Sequence, residues 1–454
     1  VWQILPLTPP LMGDSPYLSE SAFAGNEALI SLEVLRDWGW LKQEALDDFL
    51  AQGKKTASWH SLAAYKAKLL WDMSHDPDLT IPWEPFRAFC EKNAYWLDDY
   101  ALFRAVRDFF GGRCWTEWPE DIRHHSREAL AQYGKELAGA VSHVKFMQYI
   151  FSRQWHDVRA YAAENGVSIL GDVPMFVAHN SADCWAHQDQ FDLDEAGNPS
   201  SVAGVPPDYF SADGQLWGNP LYDYQAMAAD NYQWWTDRFR RMMDLVDEVR
   251  VDHFRGFAAY WAVPAGSETA KSGAWKDGPG LDLFRAVYQK IGRIRLVAED
   301  LGVITDDVCT LKDALHLPGM KVIQFHLKDR ADGRLAFDTE PDCIAYTGTH
   351  DNNTIRGWYE DDLTPSQQLH VRQMLGLSDE AAPQEIVGAL IAYTYRRRAE
   401  TVIIPMQDLL ALPSSGRMNT PGVAEGNWHW QLKEGQTTFD IAHWLAKVCR
   451  ESGR

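Results

Sequence analysis

Glu248-Val249-Arg250-Val251-Asp252-His253-Phe254-Arg255-Gly256 is the stretch on which the fold turns. Its first five residues are of strand length and end on an acid. Period-two alternation puts Arg250 and Asp252 on the same face of such a strand. Six further runs have the same form: Trp2 to Leu7, Val167 to Asp172, Ile294 to Glu299, Met320 to Phe325, Ile344 to Thr349 and Thr401 to Met406. Most are rich in β-branched residues, and several end in polar residues capable of chemistry. Helix-like stretches separate most of them. Leu281 to Ile291 is one, with apolar residues at i, i+3 and i+7.

Strands alternating with helices specify a parallel sheet covered by helices, and polar residues at the C-terminal ends of the strands are where a barrel enzyme places its chemistry. The expected architecture is α/β, a (β/α)8 TIM barrel forming a single catalytic domain over residues 1–454. Two segments exceed simple crossovers. Residues from about 40 to 165 read as a helical subdomain inserted into the barrel, as in Trp59 to Asp72 and Tyr95 to Phe110. Residues 173 to 247 read as an active-site loop region, because Gly, Pro, Asn and Asp are dense in its first half, as turns require. Seven strands are one fewer than such a barrel needs, and the chain opens inside a strand. A leading strand and helix are therefore expected to be missing from the sequence as given.

Composition narrows the function. The 454 residues carry a net charge of −21 and are 46% hydrophobic, too apolar for disorder. The acidic balance argues against nucleic acid and anionic membranes as partners. The sequence contains neither a long apolar run of membrane-spanning length nor an opening signal peptide. Six cysteines at 90, 114, 184, 309, 343 and 449 include no C-x-x-C spacing, so free thiols of a cytoplasmic enzyme are expected. Twenty tryptophans are many. Most belong to core packing, but flat apolar faces with a polar edge also suit sugar rings.

Three carboxylates stand at three strand ends: Asp252, Glu299 in Ala298-Glu299-Asp300-Leu301-Gly302, and Asp351 in Thr347-Gly348-Thr349-His350-Asp351-Asn352. A barrel converges such ends on one pocket. Retaining glycosyl transfer needs one carboxylate as nucleophile and one carboxyl as acid/base, about 5–5.5 Å apart. A third can stabilise a cationic transition state.

These segments, with Gly13-Asp14-Ser15-Pro16-Tyr17, Gly171 to Val177, Val205 to Tyr224 and Arg417 to Gly422, are similar to the signature segments of the 4-α-glucanotransferases, also called amylomaltases or disproportionating enzymes. They occur in the family's order from Val1 to about Trp430. The resemblance implies disproportionation of α-1,4-glucans such as maltooligosaccharides or fragments of starch and glycogen, with no metal or organic cofactor. It implies Asp252 as nucleophile, Glu299 as acid/base and Asp351 as transition-state stabiliser. It further implies Arg250 beside the nucleophile, where a guanidinium favours the ionised carboxylate. His350 and Asp172 are implied as sugar ligands, and Tyr17 as a stacking platform. Asp208 and Trp217 fall in a covering loop, Phe325 in an apolar wall, and Asn419 in a loop that narrows the cleft. Met12 departs from relatives that carry an aromatic there, which removes the expectation of an outer sugar platform. Strand alternation turns Asp300 away from Glu299, toward a cap or an ion pair. An α-glucan hydrolase would use the same carboxylates but lack the Val205 to Tyr224 segment. A silent glucan-binding protein would have no need of Glu299 beside Asp252.

Overall fold

A computed structural model describes the chain except residues 12, 56–57, 208–211, 330–334 and 424 and the side chains of 328–329. Trp2–Gln3, Ile169–Val173, Glu248–Val251 and Leu296–Ala298 pair in that order, all parallel. Gly319–Val322, Cys343–Tyr346 and Thr401–Ile403 form a second parallel run. The Ala298 amide donates to the Pro318 carbonyl at 2.9 Å and joins the two. All seven expected strands are thus present. Among the described residues, Trp2–Gln3 and Thr401–Ile403 each pair with a single strand.

Alternation along these strands separates floor from chemistry. Leu170, Val297, Met320, Val322, Ile344 and Tyr346 pack into one buried cluster between the strands. Asp172 follows Leu170 by two residues and Glu299 follows Val297 by two, so both rise above that floor on the same face. Helices cover the outside. Gly280–Ile291 buries Leu283, Phe284 and Val287, and Gln233–Leu245 buries Trp234, Trp235, Phe239 and Met242. Trp115, Trp185 and Trp235 are fully buried, which is the core use expected for most tryptophans.

Between residues 43 and 164 the chain is mainly helical, dominated by Trp83–Phe109 and Ala138–Glu164, each 27 residues long. Two glutamines of the second helix bracket the segment that leads away from the first strand. The Gln148 amide accepts from Gly25 N at 2.7 Å and donates to Gly25 O at 2.8 Å. Gln154 does the same for Ser31 at 2.7 and 3.1 Å. A Cβ on Gly25 would lie 2.1 Å from the Phe151 ring, so only glycine allows this approach.

Two expectations need correction. Met320 to Phe325 is not one strand: the strand ends at Val322, and Ile323–His326 is a helical turn. The Gln324 amide there donates to the carbonyls of Thr347 and Asn353, contacts an extended chain would carry past. The turn-dense region after residue 173 is also more regular than its composition implied. Ser201–Val205 and Gln215–Pro220 join Ala259–Pro264 and Ala274–Asp277 in a four-stranded antiparallel sheet. Gly204 permits it, since a Cβ there would lie 2.5 Å from the Gln215 carbonyl. Among the described residues no helix is long and apolar enough to cross a membrane.

Candidate active site

Strand register brings the first polar pair together. Asp172 lies opposite Arg250 in adjacent strands, and Asp252 follows Arg250 by two on the same face. The guanidinium spans both acids: Nη1 donates to Asp172 Oδ2 at 2.6 Å and Nη2 to Asp252 Oδ1 at 2.9 Å. Asp172 and Arg250 are closed off, at 0% and 4% side-chain exposure, whereas Asp252 is 28% open to the cleft. Burial works against the charge of Arg250, but the two aspartates hold it protonated. Asp172 Oδ1 is buried without a partner.

Glu299 sits one strand further on. Its two oxygens accept from Leu301 N and His253 N, each at 2.8 Å. Burial raises its carboxyl above the usual range, while Arg250 and those two amides pull the other way. Asp252 is raised as well. Burial is the largest cause; Arg250 lowers it, and the neighbouring Asp172, Glu299 and Asp351 add to the rise. Arg250 favours the ionised Asp252, as expected, but does not offset burial and the neighbouring acids. The guanidinium is shared with Asp172, and three carboxylates share the neighbourhood. Asp300 points elsewhere, as alternation required: it accepts from Met320 N and Lys312 Nζ, each at 2.7 Å.

A second cluster closes one side. The Tyr17 hydroxyl donates to Asp172 Oδ2 at 2.7 Å and lies 3.3 Å from His350 Nδ1. Its ring stacks on His350 at 4.9 Å between centroids, with Trp428 5.7 Å from both. Burial lowers the His350 pKa and keeps the ring neutral, despite Asp351 beside it. Asp351 is 43% exposed. Its Oδ1 accepts from Asn419 Nδ2 at 2.6 Å and lies 3.4 Å from His350 Nε2. Arg417 donates to the Asp351 and Asn419 carbonyls at 2.6 and 2.7 Å and thus ties the two loops together.

Trp217 reaches the site through His253. The two rings meet edge to face at 4.7 Å, and His253 follows Asp252 directly. Burial lowers the His253 pKa to about 3, so this ring is neutral too. Phe325 is exposed on the Ile323–His326 turn, next to Gln324 and its bonds to the Thr347–Asn353 loop. Asp208 lies outside the described residues. Sequence reasoning missed Arg417, Trp428 and His253 as individual residues. Arg417 opens a quoted segment, and His253 follows the quoted acid. Trp428 carries no local signal among twenty tryptophans. Among the described residues no group of three or more His, Cys, Asp or Glu is placed to hold a metal ion.

The sequence matches the 4-alpha-glucanotransferase family profile over residues 1–437. It is 41% identical over 462 residues to the 4-alpha-glucanotransferase of Synechocystis sp., covering 100% of this chain and 90% of that protein. It is 41% identical to the enzyme of Thermus thermophilus, covering 96% and 88%. An amylomaltase from Streptococcus agalactiae, solved in complex with acarbose, superposes with a TM-score of 0.92 at 32% identity, covering 100% of this chain and 92% of that one. The chain belongs to the 4-alpha-glucanotransferase family. It is a glucan-transferring enzyme with an amylomaltase-type α/β barrel fold.

Proposed function

We propose that the site carries out retaining transfer of an α-1,4-glucan segment through a covalent intermediate on Asp252. The observation that carries this reading is the shared Arg250 bridge. It fixes Asp252 beside Asp172, while Glu299 is held by the amide of the residue next to Asp252. In the first half-reaction the ionised form of Asp252, which Arg250 favours, attacks the anomeric carbon through Oδ. The bond to the glycosidic oxygen breaks, and the Glu299 carboxyl gives that oxygen its proton. In the second half, ionised Glu299 takes the proton of an incoming 4-hydroxyl. That oxygen attacks the anomeric carbon and displaces Asp252. The raised Glu299 carboxyl suits a group that must begin protonated. The glucosyl ring gains positive charge at the transition state, and Asp351 stabilises it from the open side of the cleft.

The remaining residues bind. Asp172 offers its unpartnered Oδ1 to a sugar hydroxyl. His350 offers a neutral ring nitrogen, and Tyr17 and Trp428 offer faces. Asn419 narrows the cleft over Asp351. Trp217 covers the acceptor side and excludes water. Phe325 lines an apolar wall. Maltooligosaccharides and fragments of starch or glycogen are the proposed substrates, and the acarbose complex of the Streptococcus agalactiae relative supports this class. The chain is read as one catalytic unit, with the helices of about 40–165 and the loops of 173–247 as insertions into the barrel. Incubation with maltotriose tests the reading: glucose plus chains longer than maltotriose is expected, whereas glucose plus maltose alone would overturn it. The transferred linkage should also keep its α configuration by proton NMR.

A further inference from the structure

One buried acid takes no part in the chemistry above. Asp408 lies on the short helix Met406–Leu409, just past the Thr401–Ile403 strand, and is 1% exposed. Its Oδ2 accepts from the Thr347 hydroxyl at 2.6 Å and its Oδ1 from Ile355 N at 2.7 Å. Thr347 directly follows the Cys343–Tyr346 strand, and Ile355 begins the next helical turn. Between these two points run Gly348, Thr349, His350, Asp351, Asn352, Asn353 and Thr354. One carboxylate therefore grips both ends of the loop whose middle carries His350 and Asp351.

We propose that Asp408 is a positioning residue of the active site, which sets the placement of Asp351 by fastening the two ends of its loop. The proposal rests on the role given to Asp351 above. Three observations support it. Among the described residues no cation pairs with Asp408, and burial pushes its carboxyl up to about 6. A charge kept there is costly, so packing alone does not account for it. The loop has little other slack at its ends, since Gln324 also holds the carbonyls of Thr347 and Asn353 at 3.0 and 2.9 Å. Thr347 itself is fully buried, so its hydroxyl has no access to water if the acid is removed. Among the described residues Asp408 makes no hydrogen bond to His350 or Asp351; it acts through the backbone of their loop.

The test uses the full chain and three substitutions, Thr347→Val, Asp408→Asn and Asp351→Asn, assayed with maltotriose and with an α-glycosyl fluoride that keeps residual turnover measurable. Thr347→Val removes one grip and leaves the acid; Asp408→Asn keeps an oxygen for Ile355 N. Each is expected to lower kcat about 10- to 100-fold, the scale of a loss of alignment near 1 Å, with KM changed less than about threefold. In an Asp351→Asn background the same substitutions should add less than about twofold, because the group they position is already gone. An unchanged kcat in folded Thr347→Val overturns the proposal. An equal loss in both backgrounds also overturns it, since the effect would then bypass Asp351. If Asp351→Asn alone keeps near wild-type turnover, the role given to Asp351 fails instead, and that is seen before any Asp408 variant is needed.

Discussion

Asp252 sits where burial and three neighbouring acids oppose its ionisation and one shared guanidinium favours it. Replacing it with Asn keeps the shape and removes the proposed nucleophile. Transfer should fall roughly 10⁴-fold or more, the scale seen when an essential catalytic group is lost, while maltotriose binding by calorimetry persists. The same variant should be more stable than the wild type. The folded carboxyl is raised to about 8, above its unfolded value, so the fold binds a proton that the unfolded chain has released. Wild-type stability from this group therefore falls as pH rises from the ordinary carboxylate range of about 4 through about 8. Asn cannot ionise. The gap in melting temperature should open over that window and then level off; a gap constant from pH 4 to 9 would remove this account. The three proposed acids were legible because Asp252 and Glu299 end strand-like runs and Asp351 lies just past one. Asp408 was not, because Met406-Gln407-Asp408-Leu409 looks like any amphipathic turn and its partners lie 61 and 53 residues away.

Between elements, the decisive contacts are small. The Gln148 side chain is fully buried and supplies both bonds to the Gly25 backbone. Gln148→Leu would strand one N–H and one C=O in the core, at a cost of about 2–4 kcal/mol. The melting temperature should drop by several degrees with the active-site geometry intact, so kcat below the transition should hold. Trp217 links the antiparallel sheet to the catalytic strand through His253. Trp217→Ala should raise the share of hydrolysis over transfer severalfold, read as the ratio of glucose and maltose to longer chains; an unchanged ratio with activity retained would separate this ring from the choice of acceptor. That sheet is what the sequence concealed. Two of its strands, Ser201–Val205 and Gln215–Pro220, carry Gly or Pro and lie inside a turn-dense region, so local composition outweighed alternation, and the pairing to Ala259–Pro264 joins segments some sixty residues apart. The parallel strands were legible because each is a short apolar run and helix-like stretches separate most of them.

At the scale of the whole molecule, one face of the protein collects residues from nearly the full length of the chain. Tyr17 meets Asp172 and His350 across 155 and 333 residues. Asn419 meets Asp351, and Arg250 bridges two strands. The fully buried Trp115 and Trp185 pack with Phe103, Trp118 and His179 across 64 to 82 residues, far short of the 333 between Tyr17 and His350. This separation has a kinetic consequence. Local helical contacts form early, whereas contacts of long sequence separation must wait for loop closure. On dilution from denaturant, tryptophan fluorescence should recover first and turnover last, with the lag set by the Tyr17–His350 closure. Activity appearing together with the fluorescence change would mean that the two ends of the chain meet early. With the lag, catalysis becomes a clock for folding: a partly folded chain can be compact and bright and still have no enzyme in it, because the stacked pair of Tyr17 and His350 is among the last things the polypeptide makes.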